Sequence, residues 1–268
     1  MEQYKNLDYI KQMIMGESRH QFIYSYDNEQ RKKFLRELDN EFPIKADCNS
    51  PMAIYLDDIG LPKIPINREE LDSDKISTLS REYLTFSIAH AILMKSKNNI
   101  EMDLLNSRID KLLNFINKCY INDGHSKISD LEHLIQTLEQ SKEFYKNYYD
   151  EYVRTGTTEL SIRDLTLPFL FFEFFVQQYK RILNNESYFC IIIDKSSDIL
   201  LESTKSINLL LGARINRDVS MKVAVEPDKW DSYIDLNGQY IEYIHDYGVV
   251  ELDNSQKEYI KKLKMLHN

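Results

Sequence analysis

Glycine is scarce in this sequence, with only 7 in 268 residues. It is the residue that reaches positive φ without strain, so backbone turns tight enough to wrap a phosphate are few by composition. Cysteine is scarcer still. Cys48, Cys119 and Cys190 are odd in number and widely spaced, with no CxxC pair and no Cys/His cluster. That pattern argues against a structural zinc site and favours a reducing compartment. No apolar run is long enough to cross a bilayer. The most apolar stretch, LTLPFLFFEFFV (Leu165 to Val176), is short, carries Glu173, and reads as a buried helix. Positive charge is lacking as well: the formal net charge is −9, a poor balance for broad contact with nucleic-acid phosphates. The opening, MEQYKNLDYI, has neither the basic nor the apolar region of a secretion signal. These absences predict a cytoplasmic protein, with no membrane segment and no direct nucleic-acid binding.

What is present is a set of short apolar runs separated by helical patterns. YFCIIID (Tyr188 to Asp194) is β-branched and closes on an aspartate. QFIYSY (Gln21 to Tyr26), MAIYLDD (Met52 to Asp58), MKVAVEP (Met221 to Pro227) and YGVVELD (Tyr247 to Asp253) are similar. Such runs with helices between them predict buried parallel strands and crossover connections. Residues 1 to 20 read as a short helix. Asp27 to Phe42 reads as another, with Asp27 or Asn28 as N-cap and Phe34, Leu35 and Leu38 on one face. From about Ser77 to Asn185 the strand signals stop and four segments with helical spacing follow one another. The fold predicted is α/β: a five-stranded, mainly parallel sheet in a three-layer sandwich with a large all-helical insertion. Residues 1–76 supply the first half of the core, 77–187 the insertion and 188–268 the second half.

The element order and the string MKVAVEPDKWDSYIDLNGQYIEYIHDYGVVELD (Met221 to Asp253) resemble AAA+ ATPases of the bacterial origin-recognition type, members of the P-loop NTPase class. The similarity is clearest over Tyr188 to Asp253 and fainter over Gln21 to Asp58. The resemblance implies a phosphate-binding loop after the first strand, an acidic Walker B pair after the third and a sensor position after the fourth. It also implies a helical lid, which the residues after the fifth strand are not expected to supply.

The departures from that pattern carry more information. GxxxxGK followed by Ser or Thr becomes SYDNEQRK (Ser25 to Lys32). Both glycines are gone, Arg31 stands in the lysine's place and Lys32 in the hydroxyl's. Asp27 and Glu29 put negative charge where phosphates would lie. The Walker B pair reads Asp194-Lys195, with a cation in place of the residue that polarises water. Arg31, Lys32 and Asp194 are therefore expected to form a vestigial nucleotide site, with ATP binding weak or absent. Other readings of these residues stand beside that one: a solvated helix face for Arg31 and Lys32, and a strand-end cap for Asp194.

The resemblance places Arg214 and Arg217 where an arginine finger would reach a neighbour, although cations at a helix C-terminus are also favoured by the macrodipole. Trp230 and Tyr233 are either anchors for a partner or core aromatics. His245-Asp246-Tyr247 is either a proton relay or a hydrogen-bonded turn. The tyrosines of FYKNYYDEYV (Phe144 to Val153) would suit base stacking were their neighbours not acidic. Two functions follow. The first is a pseudo-ATPase: a binding or regulatory subunit of a bacterial complex, acting through another protein or as a homo-oligomer. The resemblance suggests a role in defence against phage or mobile DNA. The alternative is a divergent NTPase completed in an oligomer. A metal-dependent nuclease built on DKSSD (Asp194 to Asp198) is more distant, because no spaced Glu-x-Lys follows.

Overall fold

The computed structural model describes residues 2–57, 59–63, 72–120, 127–156, 168–195, 199–212 and 218–253. Five strands form one sheet: β1 (Gln21–Tyr24), β2 (Met52–Asp57), β3 (Phe189–Asp194), β4 (Val219–Val225) and β5 (Gly248–Glu251). Their order is β2-β3-β4-β1-β5, and every pairing is parallel. The observed strands lie within or overlap the expected runs. β1 and β5 are shorter than expected, and the sheet is wholly rather than mainly parallel. β3 and β4 are buried at every position, as strands covered on both faces must be.

The chain divides into two compact units. The first comprises residues 1–43, 51–59 and 188–268, the second residues 44–50 and 60–187. In the first unit, α1 (Glu2–Gly16) and α2 (Asn28–Glu41) cover one sheet face. Ile10, Ile14 and Met15 of α1 and Phe34, Leu35 and Leu38 of α2 pack with Ile23, Ala53, Cys190, Ile192, Ala224 and Val250 from the five strands. Side chains alternate across a strand, so Phe22 faces the other way. It packs edge-on against Trp230 at 5.1 Å and Tyr247 at 4.8 Å between ring centroids. α8 (Leu201–Gly212) connects β3 to β4.

The amino ends of the strands carry a buried polar knot. Lys222 of β4 is fully buried, and its Nζ donates to the carbonyl oxygens of Glu17 (2.9 Å) and Arg19 (2.7 Å) and to Gln21 Oε1 (2.6 Å). Burial lowers its pKa to about 8. Beside it, His20 accepts a hydrogen bond at Nδ1 from the backbone N–H of Met221 at 2.9 Å. This knot fastens the turn between α1 and β1 to β4.

The loop from β4 to β5 ends in a tight turn. Ile244 has φ +74° and is 63% exposed, while Arg19 donates to the carbonyl oxygens of both Ile244 and Tyr247. A β-branched residue in the left-handed region is strained. Ile244→Gly is expected to stabilise the fold by about 1 kcal/mol, read as a higher urea midpoint. A lower midpoint would show that the side chain contributes more than the strain costs.

In the second unit, α3 (Ser73–Asn99), α4 (Met102–Asn106), α5 (Asp110–Tyr120), α6 (Leu131–Thr155) and α7 (Pro168–Leu183) follow in order. No strand occurs among its described residues from 72 to 187. α3 opens on Asp72, whose carboxylate accepts from the N–H groups of Asp74 and Lys75, and α6 ends at Gly156 with φ +75°. Tyr145, Tyr148, Tyr149 and Tyr152 are buried. Tyr145 stacks on Phe86, Tyr149 donates to the Pro62 carbonyl at 2.6 Å, and the Tyr152 hydroxyl accepts from the Asp72 N–H at 2.9 Å. The tyrosine-rich stretch is thus core, and these four rings are not available for stacking bases.

Candidate functional site

The carboxyl ends of β1, β3 and β4 are the place to look, because β1 connects toward β2 on one side and β4 toward β5 on the other. In parallel α/β sheets such a reversal opens the crevice that takes ligands. The residues meeting there are placed by simple periodicities. Ala53, Tyr55 and Asp57 alternate along β2, and Cys190, Ile192 and Asp194 along β3, with Asp57 opposite Asp194 in the register. Tyr55 and Asp194 thereby lie on the face that α2 covers. On α2, Arg31 shares the apolar stripe of Phe34, Leu35 and Leu38, at spacings of three, four and seven. A cation on that stripe needs a buried partner.

The partner is Asp194. Arg31 Nε donates to Asp194 Oδ1 at 2.9 Å, and both side chains have zero exposure. Nη1 donates to the Ser25 carbonyl at 3.0 Å. The Tyr55 hydroxyl donates to Asp194 Oδ2 at 3.1 Å. Burial pushes the Asp194 carboxyl above the usual carboxylate range, and the Arg31 charge and hydrogen bond oppose that push. Burial raises the Tyr55 hydroxyl too, with the charge of Asp194 adding to it. The solvated-face reading of Arg31 is therefore corrected: its place on the apolar stripe carries it into the core. Lys32 points elsewhere, to Asp57 Oδ2 at 3.3 Å.

The turn between β1 and α2 is closed by the chain's own groups. Asp27 caps α2, accepting from the Gln30 N–H at 2.9 Å. Asp253, just beyond β5, accepts at Oδ2 from Ser25 Oγ at 2.7 Å, from the Tyr26 N–H at 3.0 Å and from the Asp27 N–H at 3.4 Å. Lys195 is also committed. Its Nζ donates to Asp231 Oδ2 at 2.7 Å and to the Lys229 carbonyl, and lies 5.6 Å from the Trp230 ring centroid.

Of the other candidates, Trp230 is buried against Phe22. Tyr233 is half-buried, with its hydroxyl 3.0 Å from that of Tyr24. His245 is exposed on the tight turn, where Asp246 Oδ2 accepts from the Glu242 N–H at 2.8 Å. Arg214, Arg217 and residues 196–198 lie outside the described residues. Tyr55, Ser25, Asp57 and Asp253 were not singled out from the sequence. Alternation from Ala53 would have found Tyr55 and Asp57, whereas nothing local marks Asp253 as a partner of a turn more than two hundred residues away. Among the described residues, no group of three or more His, Cys, Asp or Glu side chains is placed to hold a metal ion, and no helix is long and apolar enough to cross a membrane.

A family model described as ORC-CDC6-like matches residues 53–266. The match takes in Asp57, Asp194 and Asp253 and begins after the Ser25 to Lys32 turn. No curated protein matches the chain.

Proposed function

The chain belongs to the ORC-CDC6-like family, with an AAA+-like, P-loop NTPase-like core, and from that premise we propose that it is a binding or regulatory subunit whose nucleotide site is degenerate. The observation that carries the reading is the fully buried Arg31–Asp194 pair. Two of the side chains expected to form a vestigial nucleotide site hold each other instead. The residues present do not fit ATP with magnesium. Arg31 is committed to Asp194 and the Ser25 carbonyl, the Tyr26 and Asp27 amides reach Asp253, and Lys195 is tied to Asp231.

The partner is another protein, and a homo-oligomer is the alternative arrangement. The loop from β4 to β5 offers the surface: Tyr240, Tyr243 and Ile244 are all more than half exposed, beside Glu242. Aromatics with acidic neighbours suit a protein face rather than a nucleic acid. Placement in a bacterial complex acting in defence against phage or mobile DNA rests on the resemblance over residues 188–253.

The expected result is that the purified protein releases no phosphate from ATP and gives no binding heat with ATP and magnesium. Charge-assisted phosphate contacts contribute roughly 1.5–3 kcal/mol each, so losing two weakens binding on the order of a hundredfold or more. Steady hydrolysis that disappears in Arg31→Ala or Asp194→Ala would establish the other reading, a divergent NTPase completed in an oligomer.

A further inference from the structure

The turn between β1 and α2 gathers its donors on one carboxylate oxygen. Three donors converge on Asp253 Oδ2: the Ser25 hydroxyl and the N–H groups of Tyr26 and Asp27. A second observation points to a ligand at the same place. Arg31 is fully buried with its guanidinium held against this turn through Nη1 and the Ser25 carbonyl. Its Nη2 is buried without a hydrogen-bond partner among the described residues. Asp253 Oδ1 is likewise buried and unpartnered among them. A buried guanidinium N–H and a buried carboxylate oxygen each lose hydration without compensation, so this arrangement is not the one that satisfies these groups best. Hydroxyl, consecutive amides and a guanidinium are together the donor set for an oxyanion with several acceptor oxygens, which a single carboxylate oxygen uses only in part.

We propose that Asp253 is a built-in plug: an autoinhibitory contact that fastens the end of β5 to the start of α2 and denies this receptor to phosphate-class anions. The inference rests on the reading that the wild-type chain holds no nucleotide. Among the described residues β5 is an edge strand paired only with β1, and the last backbone bond before the plug runs from the Leu252 N–H to the Tyr24 carbonyl at 3.0 Å. Withdrawing Asp253 therefore takes the end of one edge strand, with no rearrangement of the central sheet. A tethered anion competes at an effective concentration in the millimolar range or above. Free phosphate at ordinary concentrations is thus kept out of the wild-type turn.

The test titrates wild type, Asp253→Ala, Asp253→Asn and the double variant Ser25→Ala/Asp253→Ala with inorganic phosphate, and in a separate arm with ATP. Wild type is expected to take up neither. Asp253→Ala is expected to bind inorganic phosphate at least tenfold more tightly than wild type, and the added Ser25→Ala to reverse much of that gain. Uptake of both probes by Asp253→Ala assigns a general phosphate receptor, and uptake of inorganic phosphate alone a receptor too closed for a nucleotide. A folded Asp253→Ala that binds phosphate no better than wild type overturns the plug. If that variant does not fold, Asp253→Asn decides in the same way, because it keeps an acceptor for the turn while losing the charge. ATP uptake by wild type counts against the proposed function itself and is read separately from the difference between variants.

Discussion

Replacing Asp194 with alanine is expected to cost the fold about 3–5 kcal/mol, the loss seen when one member of a buried ion pair is removed. The reason is the zero exposure of both partners. Alanine leaves the Arg31 guanidinium charged, out of water and without a counter-ion, and it also removes the acceptor of the Tyr55 hydroxyl. Burial raises the Asp194 pKa against the opposing charge of Arg31, and buried ion pairs in general contribute little net stability while being costly to break. A second substitution separates these two statements. Arg31→Met combined with Asp194→Leu removes both charges and is expected to lie within about 2 kcal/mol of wild type. Urea unfolding of the three proteins measures it. A loss below about 1 kcal/mol in Asp194→Ala would mean that water reaches Arg31 and that the crevice is more open than described.

The second large effect is a loss of stability in mild acid. His20 is buried, and its pKa is lowered to about 4, first by burial and then by the charge of Lys222, with Asp246 opposing. The hydrogen bond agrees, because a ring nitrogen that accepts from the Met221 N–H cannot carry a proton. The native state therefore takes up its proton near pH 4 and the unfolded chain near 6.5. Between those values the unfolded chain binds more protons. The contribution is fully present above pH 6.5 and is lost as the pH falls to about 4, a difference of about 3 kcal/mol. Carboxylates titrate in the same range, so the comparison is with His20→Asn, whose Oδ1 can still accept from Met221. That variant is expected to show a flatter stability profile between pH 6.5 and 4. Parallel profiles would mean that His20 is protonated in the native state.

The strands were legible because they are dense in β-branched and apolar residues. FCIIID and VSMKVAV are buried throughout, and such runs have few other stable placements. The helices of residues 72–187 were legible for the complementary reason, a periodicity that no strand signal interrupts. The candidate site was only half legible. Arg31 and Asp194 were named, together with Lys32, as a vestigial nucleotide site through a resemblance, but not as partners of each other, and the sequence left Arg31 open to a solvated reading that its spacing from Phe34, Leu35 and Leu38 already argued against. Lys222 is the harder case. It interrupts an apolar strand, and what satisfies it is a pair of backbone carbonyls and one amide oxygen in a turn about two hundred residues earlier. Asp253 is hidden for much the same reason, since two of its three donors are backbone amides, which every sequence has. Side chains that bond to distant backbone leave no local mark.

The strand order has a consequence for how the chain comes together. β1 pairs with β4 and β5, and β2 pairs with β3. Neither of the first two strands has a partner until about 130 residues after β2 have been made. Joining β2 to β3 closes a loop of that length, an entropic cost on the order of 4 kcal/mol that must be met before the pairing yields anything. The sheet is therefore expected to form late and slowly, after the helices of residues 72–187, whose contacts are nearer in sequence. Until β3 and β4 arrive, the apolar edges of QFIY and MAIYLD are open to pairing with other chains. A nascent chain released before residue 219 would hold β1 with neither of its neighbours, and aggregation is the fate expected of that fragment.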